Sequence, residues 1–469
     1  MDATSAAERK KWAVLAAVGV GTFMSALDGS IVNTLLPRIG AALGATVAQT
    51  QWIVVVYLLV VSGLLLVVGR LGDTRGHKDV YVVGFAGFVV SSALCGLSPS
   101  LPWLVGFRAL QALSAAMLFA NAPAILTASF PPQERGRALG LQAVMTYLGL
   151  SVGPPLGGLL ATHLGWPSIF YVNVPVGAVG LWLSHRNIAR DRPAGPPPRF
   201  DVLGAGLFFV GLLSLLLALN QGHAWGWASP PVAGLLAVAA AGLAAFVRVE
   251  RRRAAPMLDL ALFGSRVFSG AVFSAMLSYV AQFAVLFLLP YYLRHRGLRA
   301  DVAGLVLTSQ PVVMMITAPF AGSLSDRIGT RGPVVVGLLV LAGGLLLLST
   351  VGPATPWGFV VLAMAVCGVG FGCFVAPNNS RLLGAAPPNR RGIASGVLAG
   401  ARNVGMVLGV GLAGAVYTTV LARRGEGAVV DGVAISLQVV AGLTLLAAVT
   451  SWLEGKGTGP AAPRTGPQG

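Results

Sequence analysis

Long runs of apolar residues, separated by short polar segments, cover most of the chain. Fourteen runs are near or above the roughly 20 residues that an α-helix needs to cross a bilayer. Because backbone polar groups in lipid must be satisfied within their own segment, we expect each run to be a helix. The predicted spans are residues 12–36, 50–70, 79–97, 102–128, 138–161, 167–185, 202–220, 230–248, 267–291, 302–322, 332–350, 357–378, 391–421 and 433–453. The pattern predicts an all-α polytopic membrane protein with 14 transmembrane helices.

Two polar segments occur twice in the chain. GRLGDTRGHK at 69–78 aligns with GSLSDRIGTR at 322–331, and RGRALG at 135–140 aligns with RGIASG at 391–396. Each copy follows or precedes the same span of its half, so spans 1–6 and 9–14 are predicted to be repeats, with spans 7 and 8 inserted between them. Six-helix repeats around a central cleft are typical of transporters.

The duplication divides the chain into five predicted units. They are an N-terminal six-helix half (1–185), a Pro-rich cytoplasmic linker (186–201), two inserted transmembrane helices (202–248), a C-terminal six-helix half (249–453) and a flexible cytoplasmic tail (454–469).

The charge distribution predicts the orientation of the chain in the membrane. The formal net charge is +17, yet only 10% of the residues are charged. Most Lys and Arg residues lie in alternate polar segments, which face the cytoplasm if the N-terminus does. The basic balance therefore indicates topology rather than a nucleic-acid partner. We expect a multi-pass protein of the cell membrane with both termini in the cytoplasm.

Metal and nucleotide chemistry find no support in the sequence. The 3 cysteines lie inside apolar runs, and the 5 histidines lie at span ends or in loops without metal-ligand spacing. No loop has the Gly-rich sequence ending in Lys that cradles phosphates. We therefore expect no metal, no cofactor and no ATP hydrolysis, and an ion gradient as the energy source.

Asp28 is the one carboxylate predicted to lie well inside a span. An ionisable residue in the membrane is costly and marks a functional site, and desolvation helps a carboxyl to hold a proton. Arg108, in the fourth span, cannot release its proton but can stabilise ionised Asp28 or an anionic substrate group. We interpret Asp28 and Arg108 as a proton-coupling pair. A hydrogen-bonded structural acid and a fixed ion pair are the alternatives.

The fifth span carries a pattern of glycine and proline. Gly149, Gly153 and Gly157 recur every four residues, which lets one face of a helix approach a neighbour closely. Pro154 and Pro155 remove two backbone donors and should bend the helix.

Polar and aromatic residues within the spans are candidates to line the cleft and bind substrate, although single polar groups also bond neighbouring helices. They are Asn33, Tyr57, Asn121, Gln142, Tyr147, Tyr279, Gln282, Phe283, Gln310 and Arg402. Since spans 7–14 contain no interior acid and Arg402 adds a positive charge, we favour neutral, zwitterionic, monocationic or anionic substrates over dications.

Five stretches, in order along nearly the whole chain, resemble motifs of the major facilitator superfamily and of its 14-span drug:proton antiporters. They are LDGSIVNTLLP (27–37), GRLGDTRGHK (69–78), RALQALSAA (108–116), GLSVGPPLGG (149–158) and WPSIFYVNVPVG (166–177). The resemblance implies the major facilitator fold. In the second stretch, Thr74 and His77 stand where the family commonly has Arg or Lys.

The resemblance also implies two sets of functional residues. The first is a latch that closes the cytoplasmic side, formed by Gly69, Asp73, Arg75, Gly76 and Lys78 and, in the second copy, by Asp326 and Arg327. The second is the antiporter motif of the fifth span, formed by Gly149, Gly153, Pro154, Pro155, Gly157 and Gly158.

These observations predict a proton-coupled antiporter that exports hydrophobic or amphiphilic small molecules, such as drugs, antibiotics or secondary metabolites, by alternating access. A narrow-specificity metabolite exporter, a proton-coupled uptake symporter and a non-transport membrane receptor are the alternatives. The expected partners are the substrate, protons and the lipid bilayer, and a monomer is sufficient for this function.

Overall fold

The computed structural model describes residues 2–131, 134–190, 202–226, 228–251, 260–387 and 391–453. Most of the predicted Pro-rich linker and all of the predicted tail lie outside these residues.

The described residues form sixteen α-helices, two of which have only four residues. Their bounds are α1 (Asp2–Ala42), α2 (Val47–Thr50), α3 (Trp52–Arg75), α4 (His77–Gly96), α5 (Leu101–Ser129), α6 (Arg135–His163), α7 (Ser168–Tyr171), α8 (Asn173–Asn187), α9 (Val202–Trp225), α10 (Pro230–Glu250), α11 (Arg266–His295), α12 (Ala300–Ile328), α13 (Arg331–Ser349), α14 (Trp357–Gly384), α15 (Arg391–Arg424) and α16 (Val429–Leu453).

The predicted number of 14 spans is not confirmed. Within the described residues, 12 helices are long and apolar enough to cross a membrane, and α8 and α9 are not among them. α8 has 15 residues, because the helix breaks at Val172 between α7 and α8. At 1.5 Å per residue it reaches about 22 Å, less than the roughly 30 Å of the hydrocarbon core. In α9, the apolar stretch among the described side chains is limited to Leu203–Ala218.

The helix packing confirms the two predicted repeats. α1 packs against α6 and α8, and α11 packs in the same way against α15 and α16. α5 packs between α3 and α4, as α14 packs between α12 and α13. The inserted helices α9 and α10 pack together, and α9 lies against α3 and α15. The two halves meet chiefly where α6 packs against α12.

The duplicated decapeptide forms the same helix junction in both halves. Gly76 connects α3 to α4 with φ of 100°, and Gly329 connects α12 to α13 with φ of 87°. Residues with a side chain rarely adopt this part of φ space, so both tight turns favour glycine. The repeated sequence thus encodes a repeated backbone turn.

Glycines allow α6 to lie directly against α1. A Cβ atom on Gly149 would lie 2.6 Å from the carbonyl oxygen of Phe23, and one on Gly153 would lie 2.7 Å from Cβ of Ser30. In the second half, Gly409 faces the carbonyl oxygen of Val280 in the same manner, at 2.6 Å. The close approach that the spacing predicts is therefore present in both halves.

Candidate functional site

A buried ion pair joins α1 to α5 inside the N-terminal half. Nη1 of Arg108 lies 2.5 Å from Oδ2 of Asp28, and the two side chains are almost wholly shielded, at 1% and 0% exposure. Two charges this deeply buried are tolerated only when they are paired and hydrogen-bonded. The structure brings together the two residues that the sequence predicts as a proton-coupling pair, and the coupling itself stays a prediction.

The second carboxylate oxygen of Asp28 accepts hydrogen bonds from two amides. Nε2 of Gln111 on α5 donates to Oδ1 at 3.0 Å, and Nδ2 of Asn173, the first residue of α8, donates at 2.8 Å. Gln111 Nε2 also lies 2.8 Å from Oγ of Ser92 on α4. With Arg108, three donors from α5 and α8 therefore bond the carboxylate on α1.

Arg108 is held by a carbonyl and an aromatic ring as well as by Asp28. Its Nε donates to the carbonyl oxygen of Ile53 at 3.2 Å, and its guanidinium carbon lies 4.3 Å from the centre of the Tyr57 ring. The groups around Asp28 and Arg108 come from α1, α3, α4, α5 and α8, all within one half. The ion pair is therefore set apart from the surface where the halves meet.

The sequence pattern did not predict Asn173 as a site residue. It lies in the stretch 166–177 that carries part of the family resemblance, which is the signal that points to it. Gln111 lies one helical turn after Arg108, and its spacing places it on the same face of α5. The packing of α8 against α1 is what brings Asn173 to the carboxylate.

A second cluster lies between the halves, at the middle of the bundle. The guanidinium carbon of Arg402 on α15 lies 5.0 Å from the ring centre of Tyr279 on α11. Tyr279 packs edge-to-face against Phe371 on α14, with 5.2 Å between ring centres and an interplanar angle of 82°. The phenol of Tyr147, on α6 of the other half, lies within electrostatic range of both Tyr279 and Arg402. Three predicted cleft residues thus lie together.

Two further predicted cleft residues form a polar pair beside this cluster. Nε2 of Gln310 on α12 donates to Oε1 of Gln282 on α11 at 2.8 Å. Both side chains line a small cavity of about 20 Å³, together with Ser30 and Pro154 of the N-terminal half. Phe283, the next residue of α11, packs against Gly409.

The remaining predicted cleft residues have local partners. Tyr57 stacks on Arg108, and Nδ2 of Asn33 donates to the carbonyl of Gly29 in its own helix at 2.7 Å. Nε2 of Gln142 donates to Oγ1 of Thr22 at 3.3 Å. Oδ1 of Asn121 lies 2.7 Å from Nδ1 of His77, beside the turn between α3 and α4. These contacts do not bring them to the Arg402 cluster.

The two prolines of α6 leave backbone carbonyls for neighbouring helices. Pro154 and Pro155 have no N–H, so the carbonyls of Leu150 and Ser151, four residues earlier, lose their helical donors. Oγ of Ser30 on α1 donates to the Leu150 carbonyl at 3.0 Å. Oγ1 of Thr308 on α12 shares its proton between the Ser151 carbonyl at 3.1 Å and the carbonyl of Gly304 in its own helix at 2.9 Å. The second bond links the two halves.

Other contacts between the halves lie at the end of the bundle where α1 ends and α12 begins. Gly158 near the end of α6 faces the backbone of Ala300 at the start of α12. Nη1 of Arg294 at the end of α11 donates to the carbonyl of Pro37 on α1. Gln51, just before α3, faces Gly414 on α15. The halves are joined at this end.

The predicted latch residues lie at the opposite end. Arg75 and Arg327 are exposed in the last turns of α3 and α12. Nζ of Lys78 donates to the carbonyl of His185 at the end of α8, at 2.9 Å. A Cβ atom on Gly69 would lie 3.7 Å from Cβ of Ala120, an ordinary van der Waals distance. The side chains of Asp73 and Asp326 lie outside the described part of the structure, so the predicted latch contacts stay a prediction.

The chain is similar to known proteins in both sequence and structure. The family model of the Major Facilitator Superfamily matches residues 18–265 and 271–468. The riboflavin transporter RibZ of Clostridioides difficile is 34% identical over 403 residues, which cover 86% of this chain and 87% of that protein. The tetracenomycin C resistance and export protein of Streptomyces glaucescens is 34% identical over 406 residues, covering 86% and 76%. The crystal structure of a peptide transporter with bound sulfate has the same fold, with a TM-score of 0.71, 15% identity and coverage of 94% of this chain and 96% of that one.

Proposed function

Since the chain belongs to the Major Facilitator Superfamily, whose similar members include named transporters and exporters, we propose that it exports hydrophobic or amphiphilic small molecules in exchange for protons. The observation that carries this proposal is the buried Asp28, which is paired with Arg108 and hydrogen-bonded by Gln111 and Asn173. Asp28 belongs to α1 and is bonded by groups on α5 and α8, so its protonation can change how these three helices pack.

Protonation of Asp28 would remove the ion pair and leave Arg108 buried without its counterion. The cost of breaking a buried pair is about 3–5 kcal/mol, comparable with the free energy that reverses a two-state equilibrium. α1, which carries Asp28, also packs on α6 through Gly149 and Gly153. A shift of α1 is thereby passed to the helix that contacts the other half.

The predicted topology gives this structure a place in a transport cycle. With the N-terminus in the cytoplasm, the end at which the halves meet faces outside, and the structure represents a state closed to the outside. The contact between Asp28 and Arg108 is then intact in the state that receives substrate from the cytoplasm, and in this proposal an incoming proton breaks it. Opening to the outside would require the cytoplasmic side to close through the latch, whose residues include Gly69, Asp73, Asp326 and Arg327. The same proposal includes a cytoplasmic location of both termini, 14 spans, an antiporter role of the α6 motif and a monomeric state.

Proton release from inverted membrane vesicles tests the coupling. The vesicles are acidified inside, a panel of antibiotics and dyes is added, and luminal pH is followed with a fluorescent amine. We expect some compounds to release protons in the wild type but not in Asp28→Asn, because the amide cannot carry a proton through the cycle. Asp431→Asn is the matched control, because Asp431 is an exposed acid paired with Arg424 at the end of the bundle. A response that survives Asp28→Asn would move the coupling elsewhere, and silence across the panel with protein confirmed in the membrane would count against drug export.

The similarity to a riboflavin transporter favours a second candidate function, the transport of a metabolite. Flavin fluorescence inside and outside cells that produce the wild type or Asp28→Asn distinguishes the two. Asp28-dependent loss of internal flavin would indicate a metabolite exporter, and Asp28-dependent gain would indicate an uptake symporter.

A further inference from the structure

Among the described residues, no acidic side chain pairs with the guanidinium of Arg402. Arg402 is half-buried, and no carboxylate in the described part of the chain forms an ion pair with it. Its contact is with the face of the Tyr279 ring, at 5.0 Å. Asp28, buried in the N-terminal half, is already paired with Arg108. A cation within an apolar helix that no described side chain neutralises points to a ligand that supplies the counterion.

The Tyr279 ring that faces this cation belongs to a group of aromatic residues from both halves. Tyr279 and Phe371 come from the C-terminal half and Tyr147 from the N-terminal half. Flat rings offer a stacking surface to planar ligands, and the guanidinium offers a planar fork of donors that matches an oxyanion. Gln282 and Gln310 add neutral polar groups on α11 and α12, the same side of the interface. The site therefore combines one positive charge, aromatic walls and no acid among the described side chains.

We propose that Arg402 recognises the substrate, and that the substrates are aromatic compounds with an anionic group such as a carboxylate, sulfonate or ionised phenol. This inference rests on the proposed function, because it names the substrate class of the same cleft. A cationic aromatic compound in this position would meet the charge of Arg402 without a neutralising acid. An anion gains a charge-assisted hydrogen bond, which is about twice as strong as a neutral one.

The test uses two dyes that share the xanthene ring system and differ in charge. Fluorescein is anionic at pH 8 and rhodamine 6G is cationic. Binding of each to the purified full-length protein in detergent is measured by fluorescence polarisation, without any proton gradient. The proteins compared are the wild type, Arg402→Gln, Arg402→Lys and Arg423→Gln. Arg423 is the matched control, since it is an exposed Arg in the last turn of the same helix.

We expect the wild type to bind fluorescein more tightly than rhodamine 6G. Arg402→Gln should weaken fluorescein binding by about tenfold, as expected for loss of one charge-assisted hydrogen bond. The same substitution should not weaken the binding of rhodamine 6G. Arg402→Lys keeps the charge but not the fork and should lie between. Arg423→Gln should bind both dyes as the wild type does.

Three results would overturn the inference. They are tighter binding of rhodamine 6G than fluorescein, undetectable binding of fluorescein to the wild type, and equal weakening of both dyes in Arg402→Gln. The last would assign Arg402 a structural role. If Arg402→Gln does not fold, the preference of the wild type and the Arg402→Lys protein still decide.

The binding test and the vesicle test fail independently. Dye binding is measured without a proton gradient in proteins that keep Asp28, so its outcome does not depend on whether Asp28 couples transport. Asp28-dependent export of cations alone would uphold the proposed function and refute the role of Arg402.

Discussion

Asn173 shows how much a single amide contributes to the Asp28 site. Asn173 is the first residue of α8, and its Nδ2 donates to Oδ1 of Asp28 at 2.8 Å. Arg108 bonds the other carboxylate oxygen, Oδ2, at 2.5 Å. A hydrogen bond to a charged group contributes about 1.5–3 kcal/mol. The amide therefore ties the start of α8 to the carboxylate on α1.

We expect Asn173→Ala to destabilise the protein by about 1.5–3 kcal/mol, the usual contribution of a hydrogen bond to a charged group, because Oδ1 of Asp28 loses a buried donor. Thermal unfolding in detergent would show this loss as a lower Tm. Asn187→Ala is the control, because Asn187 lies on the same helix and bonds only the carbonyl of Leu183. An equal change of Tm in the two variants would show that the bond to Asp28 has no particular importance.

The contact of α6 with α1 determines the position of the helix that carries Asp28. Where a Cβ atom on Gly149 would stand, the neighbours are largely backbone, with the carbonyl of Phe23 at 2.6 Å and the nitrogen of Leu27 at 2.9 Å. Backbone cannot rotate out of the way as a side chain can. The next residue after Leu27 is Asp28 itself, so a displaced α1 moves the carboxylate relative to Arg108.

Gly149→Ala should destabilise the protein by about 1–3 kcal/mol, the usual cost of adding a methyl group to a tight contact. Thermal unfolding in detergent, followed by light scattering or intrinsic fluorescence, would show a lower Tm. Gly140→Ala is matched to it, because a Cβ atom at Gly140 on the same helix would meet no described atom of a neighbouring helix within 4 Å. There alanine should leave Tm unchanged or raise it, since it favours the helix over glycine. Equal effects of the two substitutions would show that the α1–α6 approach is not limiting.

At the scale of the whole molecule, the two halves are joined at one end by contacts that a transport cycle has to break. The Ser151 carbonyl is free to accept from Thr308 because Pro155 leaves it without a helical donor, and the Thr308 hydroxyl shares its proton with the carbonyl of Gly304. Arg294 adds a second link, to the carbonyl of Pro37. Each link is weak enough to be exchanged during a rocking motion, and together they bias the protein towards the state described here.

Thr308→Val should move the equilibrium towards the state in which this end is open. One hydrogen bond contributes about 1 kcal/mol, which is about a fivefold change in the ratio of two states. Spin labels on cysteines at Ala42 and Arg299, one at the end of each half, report the separation by pulsed electron resonance. Ser309→Ala is the control, since Ser309 bonds only the carbonyl of Val306 in its own helix. An unchanged distance distribution in Thr308→Val would show that this bond does not hold the end closed.

The helical architecture, the two repeats and the family resemblance can be predicted from the sequence, whereas the number of spans cannot. Apolar runs become helices because lipid leaves the backbone no other donors and acceptors, and the duplicated decapeptides predict the duplicated turns at Gly76 and Gly329. It also singled out Asp28 and Arg108, because charged residues inside apolar runs are conspicuous. These properties depend on residues that are close in the chain.

Which of the polar residues share a site depends on how the helices pack. Asn173 reaches Asp28 because α8 packs on α1, and Arg402 joins Tyr279 because α15 packs on α11. Asn121 is likewise a polar residue within an apolar run, but it pairs with His77 beside a helix junction. Helical periodicity fixes which face of a helix a residue occupies. The partner of that face depends on packing between helices far apart in the chain, and no local pattern records it.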